Sequence, residues 1–128
     1  DLIIVVSSIQ VLPTNHIFEK WHNFPHERDR LLKLLKLTNK PVIVLSGDRH
    51  KAGLYEQGNI VEMTSSSLNK PISRPLAAVW DIFFKETDEL LIGEMYYKEN
   101  YGILNFTSKG VSISLKNLKG ETIIYKEI

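Results

Sequence analysis

Two short aliphatic runs with a helix-like stretch between them dominate the first half of the chain. Leu2, Ile3, Ile4, Val5 and Val6 form an unbroken run that ends in Ser7-Ser8. A run this short, with no polar alternation, predicts a strand buried on both faces. A helix is expected next, with Asn23 as its cap and Pro25 in the first turn, where a missing N–H costs little. Glu27 and Asp29 then lie toward the positive end of its dipole. Arg28, Leu31, Leu32 and Leu35 recur on one helical face, Lys33 and Lys36 fall on the other, and Asn39 and Pro41 end the element. Residues 42–45 are a second β-branched run, which breaks at Ser46-Gly47.

Strand, helix, strand in that order normally closes as a crossover with parallel strands. Residues 7–10 and 46–50 are therefore expected at one edge of one sheet, the edge where open α/β sheets hold their ligands. Beyond them, residues 59–64 read as a further strand and 65–75 as a polar loop; 76–85 read as a helix with Trp80, Phe83 and Phe84 mostly inward, although Trp, Ile and Phe also suit a strand. From Tyr101 the period changes to two: Val111, Ile113 and Leu115 alternate with Ser112, Ser114 and Lys116. Gly110 and Gly120 mark turns, and residues 122–126 close the pattern. The fold class expected is α/β, a βαβ unit followed by an antiparallel β meander.

Composition narrows the function. With 128 residues, 43% hydrophobic and 24% charged, the chain suits one ordinary globular domain. Sixteen basic residues against 15 acidic ones leave a net charge of +1 with the signs mixed, which gives no support to nucleic-acid binding. No apolar run approaches the roughly 20 residues of a membrane helix. The absence of cysteine excludes thiolate ligands and a cysteine nucleophile within this segment. The chain opens without a methionine or a signal-peptide n-region, so it is expected to be the carboxy-terminal portion of something larger.

The sharpest chemical feature is Ser46-Gly47-Asp48-Arg49-His50, a glycine for a tight turn followed by a carboxylate and an imidazole two positions apart. If the segment is locally extended, Asp48 and His50 project to one side and can hold one metal ion or bridge two. The same residues also read as a strand-ending turn with His50 in water, and spacing alone favours that plainer reading. Arg49 and Lys51 flank the pair and are candidates for phosphate oxygens, or equally for salt bridges. Ser8 and Gln10 share the edge as candidate substrate-orienting groups, although loop-closing hydrogen bonds suit them better. His16, His22 and His26 have gaps of six and four, a weak metal pattern without further ligands. Residues 64–67 lack the glycines of a nucleophile elbow, and Trp21 and Trp80 suit a core better than a pocket.

Several spaced motifs agree in order with one family. Ser7 to Gln10 after a strand, Trp21 with Phe24-Pro25 and Glu27-Arg28 heading a helix, Val44 to His50, and Glu62 to Asn69 together resemble the second half of PhoD-like alkaline phosphatases. Asn100-Tyr101-Gly102 resembles the Asn-aromatic-Gly that opens that family's terminal strands. The resemblance spans most of the chain. It implies the carboxy-terminal part of a calcineurin-like metallophosphoesterase sandwich, a metal-dependent phosphomonoesterase or phosphodiesterase in which a metal-activated water attacks a phosphate ester.

Asp48 and His50 match the family's Asp-x-His ligand loop. Calcium and iron are the ions implied, with zinc, magnesium or manganese in related members. Zinc takes about four ligands and calcium roughly six to eight, so two residues make only part of a site. The rest, including a cysteine where the family has one, is implied to lie before Asp1, in the same or another chain. The isolated chain is expected to be weak or inactive, and a periplasmic or secreted setting is implied. The rival is a non-catalytic, sheet-based binding or assembly module in which Asp48 and His50 are turn residues.

Overall fold

The structure, a computed structural model, describes residues 1–72, 87–108 and 110–128. These described residues form a mixed α/β arrangement of two sheets and one long helix. Strands β1 (Ile3–Val6), β2 (Val42–Ser46), β3 (Ala52–Gln57), β4 (Ile60–Ser65) and β5 (Leu91–Tyr96) form one sheet in the order β1-β2-β4-β3-β5. Strands β6 (Asn100–Thr107), β7 (Gly110–Asn117) and β8 (Thr122–Glu127) form a second, all-antiparallel sheet. Helix α1 (Pro25–Leu37) follows a short 3-10 turn, Trp21–Asn23. None of the described helices is long and apolar enough to cross a membrane.

The large sheet is covered on both faces. On one side, Leu32 and Leu35 of α1 meet Val42, Val44, Tyr55 and Ile60. On the other, Ile113 and Leu115 of the meander meet Ile43, Leu54, Val61 and Met63. Strand β2 sits between, and its first three residues are all buried. β1 pairs with β2 in parallel, and β2 pairs in parallel with β4. β3 runs antiparallel to β4 and to β5.

Three expectations need correction. β1 is not buried on both faces: Ile4 and Val6 are 43% and 79% exposed, because β1 is an edge strand that extends past the cover of the meander. Asn23 does not cap α1. Phe24 holds that position without a side-chain bond, and the Asn23 amide oxygen instead accepts from the Lys20 ammonium at 3.2 Å. Strands β3 and β5, which the periodicity did not suggest, complete the large sheet. The helix expected over 76–85, with Trp80, Phe83 and Phe84, and the end of the 65–75 loop lie outside the described residues.

Candidate functional site

The loops after β1 and β2 do meet at one edge. Ser7 N–H donates to Leu45 O at 2.9 Å, and Gly47 lies beside the Ser8 carbonyl. Since β4 lies between β2 and β3, the connection over 47–51 must bridge two strand spacings, about 10 Å, and it arches over the end of β4.

Beneath this edge lies a buried polar network. The Glu62 carboxylate, fully buried, accepts from Val11 N–H (3.0 and 3.1 Å), from Leu12 N–H (2.5 Å) and from the Ser46 hydroxyl (2.5 Å). The carbonyls of the same two residues accept from Arg28, Val11 O from Nε and Leu12 O from Nη2, both at 2.7 Å. One dipeptide is thus held on its N–H side by a carboxylate and on its C=O side by a guanidinium. Gln10 Nε2 donates to Thr64 Oγ1 at 2.7 Å, and Thr64 shares a 2.9 Å bond with Ser46. Burial pushes the Glu62 carboxyl above its ordinary range. The Ser46 hydroxyl, the Leu12 and Val11 amides and the Arg28 charge pull it back without cancelling the effect.

Above the network sits the arch. Asp48 and His50 are both exposed and Arg49 between them is buried. The segment is not extended, as the sequence suggested. Asp48 has φ +61° and His50 φ +52°, so the left-handed turn falls on these two residues rather than on Gly47. Asn39 at the end of α1 is the other non-glycine with positive φ among the described residues. Each such residue costs roughly 1–2 kcal/mol of backbone strain, less for Asp.

The Asp48 carboxylate makes no hydrogen bond to the described residues. The His50 ring is oriented, with Nδ1 2.7 Å from Lys70 O. A carbonyl only accepts, so Nδ1 carries a proton, and in the neutral ring Nε2 then has the lone pair. A ring N–H on a backbone carbonyl is the usual orientation of a metal-binding histidine.

The other candidates are placed as follows. Ser8 is exposed, Gln10 is fully buried within the network, and the Arg49 guanidinium stacks 4.9 Å from the Phe18 ring centroid. Lys51, also buried, has its ammonium 5.3 Å from the Tyr97 ring. Trp21 donates from Nε1 to the Ser7 hydroxyl at 3.0 Å and packs on the α1-side core. Trp80 lies outside the described residues.

His16, His22 and His26 do not converge. His22 lies in the 3-10 turn and His26 in α1, both exposed. The His16 ring is held down to about 3, first by burial, then by the charges of Arg49, Lys20 and Lys51, with Asp88 opposing. No group of three or more His, Cys, Asp or Glu side chains gathers for a metal among the described residues. Asp48 and His50 thus have no third such side chain gathered with them among the described residues.

Two residues of the Asn100-Tyr101-Gly102 motif complete the edge. Asn100, at the start of β6, locks the segment leaving β4. Its N–H donates to Ser67 O at 3.0 Å, and its side-chain oxygen accepts from Ser65 Oγ at 2.9 Å. Two residues on, a Cβ at Gly102 would lie 2.5 Å from Met63 Cε, so glycine permits the close approach of the two sheets. Between them is a cleft of about 480 Å³ lined by Ser46, Ser66, Ser67, Met63 and Tyr101, among others, but by neither Asp48 nor His50. No protein-family model and no curated protein matches this chain.

Proposed function

We propose that this chain is the carboxy-terminal part of a metal-dependent phosphoric ester hydrolase of the PhoD-like type, with Asp48 and His50 as its share of the metal ligands. The observation that carries the reading is the arch after β2. Two exposed residues with metal-binding side chains are held in left-handed conformations there, one with an unengaged carboxylate and the other with its ring set by Lys70 O. Strain of this kind persists where the surroundings over-determine the backbone, and it concentrates at functional sites.

The donor set fits a hard or borderline cation, a carboxylate oxygen and an imidazole nitrogen, as calcium, iron, zinc, magnesium or manganese accept. When bound, the ion supplies Lewis acidity toward phosphate oxygens and a nucleophile at neutral pH. The chain's own contribution is to hold one carboxylate and one imidazole at the sheet edge. Ser8 is exposed on the neighbouring loop, where it can orient the ester. The remaining ligands belong to an amino-terminal half, in the same or another polypeptide, and an exported setting belongs to the same reading. The uncovered apolar strip of Ile4 and Val6 supports further structure packing at this edge.

The test is hydrolysis of p-nitrophenyl phosphate and bis-p-nitrophenyl phosphate, with each metal or with chelator, by the chain alone and by the chain joined to the residues that precede Asp1. Metal-dependent turnover in the longer protein, lost in Asp48→Asn and His50→Ala with the fold intact, supports the assignment. Turnover unchanged in both variants overturns it. A complete lack of metal dependence passes the lead to the non-catalytic binding module.

A further inference from the structure

The arch that carries Asp48 and His50 is bridged at its crown by a hydroxyl. Ser66, the first residue after β4, accepts from Arg49 N–H at 2.9 Å and donates to Lys51 C=O at 3.1 Å. A serine hydroxyl has one proton to give, and here its donor and an acceptor position are both spent on the same loop. Arg49 lies between the two strained residues, so Ser66 fixes the peptide on which both turn. The chain just beyond Ser66 grips the arch twice more: Lys70 O receives the His50 ring N–H at 2.7 Å, and Ile72 N–H donates to His50 O at 3.1 Å. The segment is anchored in turn by the meander, through the bonds of Asn100 to Ser65 and Ser67.

We infer that Ser66 is the positioning residue of the Asp48–His50 pair, acting through the Arg49 and Lys51 peptides rather than by touching metal or substrate. The inference rests on the proposed metal role of that pair. Two left-handed non-glycine residues in one loop relax unless something over-determines them. With the hydroxyl gone, the bridge between Arg49 N–H and Lys51 C=O is lost, and both side chains are re-aimed together.

The test compares Ser66→Ala with the isosteric variants Ser66→Thr and Ser66→Val, the first of which keeps the hydroxyl. In the longer protein that brings the remaining ligands, NMR follows three signals: the His50 ring nitrogens, the exchange rate of the Arg49 amide, and the broadening of His50 by added manganese. The wild type is expected to show an Nδ1–H tautomer, a protected Arg49 amide and manganese broadening at His50. Ser66→Ala and Ser66→Val are expected to lose that protection and to bind manganese about 10- to 100-fold more weakly, as losses of groups that orient metal ligands do. Ser66→Thr is expected to stay near the wild type. A merely structural Ser66 would lower the melting temperature without separating Thr from Val in manganese affinity, and that result overturns the inference while leaving the site intact. Absence of manganese broadening in the wild type, with the Arg49 amide still protected, overturns the metal reading itself and the inference with it.

Discussion

Replacing Arg28 by methionine keeps the aliphatic stem and removes the guanidinium. Two charged hydrogen bonds go with it, to Val11 O and Leu12 O, both at 2.7 Å in the interior. Hydrogen bonds to charged groups contribute about 1.5–3 kcal/mol each, and a buried carbonyl left without a donor costs about 1–3 kcal/mol. Some water can reach a side chain that is 8% exposed, so a loss of about 3–5 kcal/mol is expected rather than the full sum. Glu62→Gln acts on the other side of the same dipeptide. It sets an amide N–H against the Val11 or Leu12 N–H and is expected to cost about 2 kcal/mol.

Because both side chains hold one dipeptide, the double variant should lose less than the two single losses added, by at least about 1 kcal/mol. Urea unfolding followed by tryptophan fluorescence measures all four proteins. A loss below about 1 kcal/mol for Arg28→Met, or strict additivity, would refute the clamp. The pH dependence gives an independent sign. Burial raises the Glu62 carboxyl above its ordinary 4.5, so the folded state holds this proton more tightly than the unfolded chain does. That contribution is fully present below pH 4.5 and is lost as pH rises through the elevated value. Without the Arg28 charge the elevation grows, so Arg28→Met should lose stability over a wider and higher pH window.

Two further substitutions separate strain from packing. Asp48→Gly removes the side chain at φ +61° and is expected to raise stability by up to about 1 kcal/mol while abolishing metal-dependent hydrolysis in the complete enzyme; a loss of stability on thermal melting would mean that the loop is not strained there. Leu35→Ala empties a buried position between α1 and the sheet, and a loss of about 2–5 kcal/mol is expected in the same urea assay, whereas a negligible loss would put that face of α1 outside the core.

The elements that could be read from the sequence are those whose pattern matches one period. β1, α1 and β2 carry an aliphatic run, a 3.6-residue stripe and a second run, and β7 alternates strictly. β3 was not legible, because Ala52, Gly53, Glu56 and Gln57 have low strand preference. It is a strand because β4 and β5 flank it, and Met95 packs so closely that a Cβ at Gly53 would lie 2.5 Å from the sulfur. In β5, Gly93 at φ +72° interrupts the alternation. The edge loops were legible from crossover logic. The conformation of the arch was not, since a Gly-Asp pair suggests that glycine takes the left-handed turn, whereas Asp48 and His50 take it, on either side of an Arg49 whose N–H is bonded to Ser66.

Placed in the fold, the motif residues divide into two groups with different consequences. Trp21, Arg28, Ser46, Glu62, Thr64 and Asn100 all hydrogen-bond inside the protein, and Gly102 makes room for Met63. These residues hold the loops at one edge, and a protein with no chemistry at all would need them for the same fold. Asp48 and His50 differ: both side chains are exposed, their backbone is strained, and the fold gains little from either side chain beyond one ring hydrogen bond. The scaffold residues therefore build the edge, and the proposed hydrolysis depends on Asp48 and His50. A variant that keeps the scaffold and replaces only this pair should fold as well or better and lose any metal-dependent activity, which separates the residues that build the edge from the two proposed to act at it.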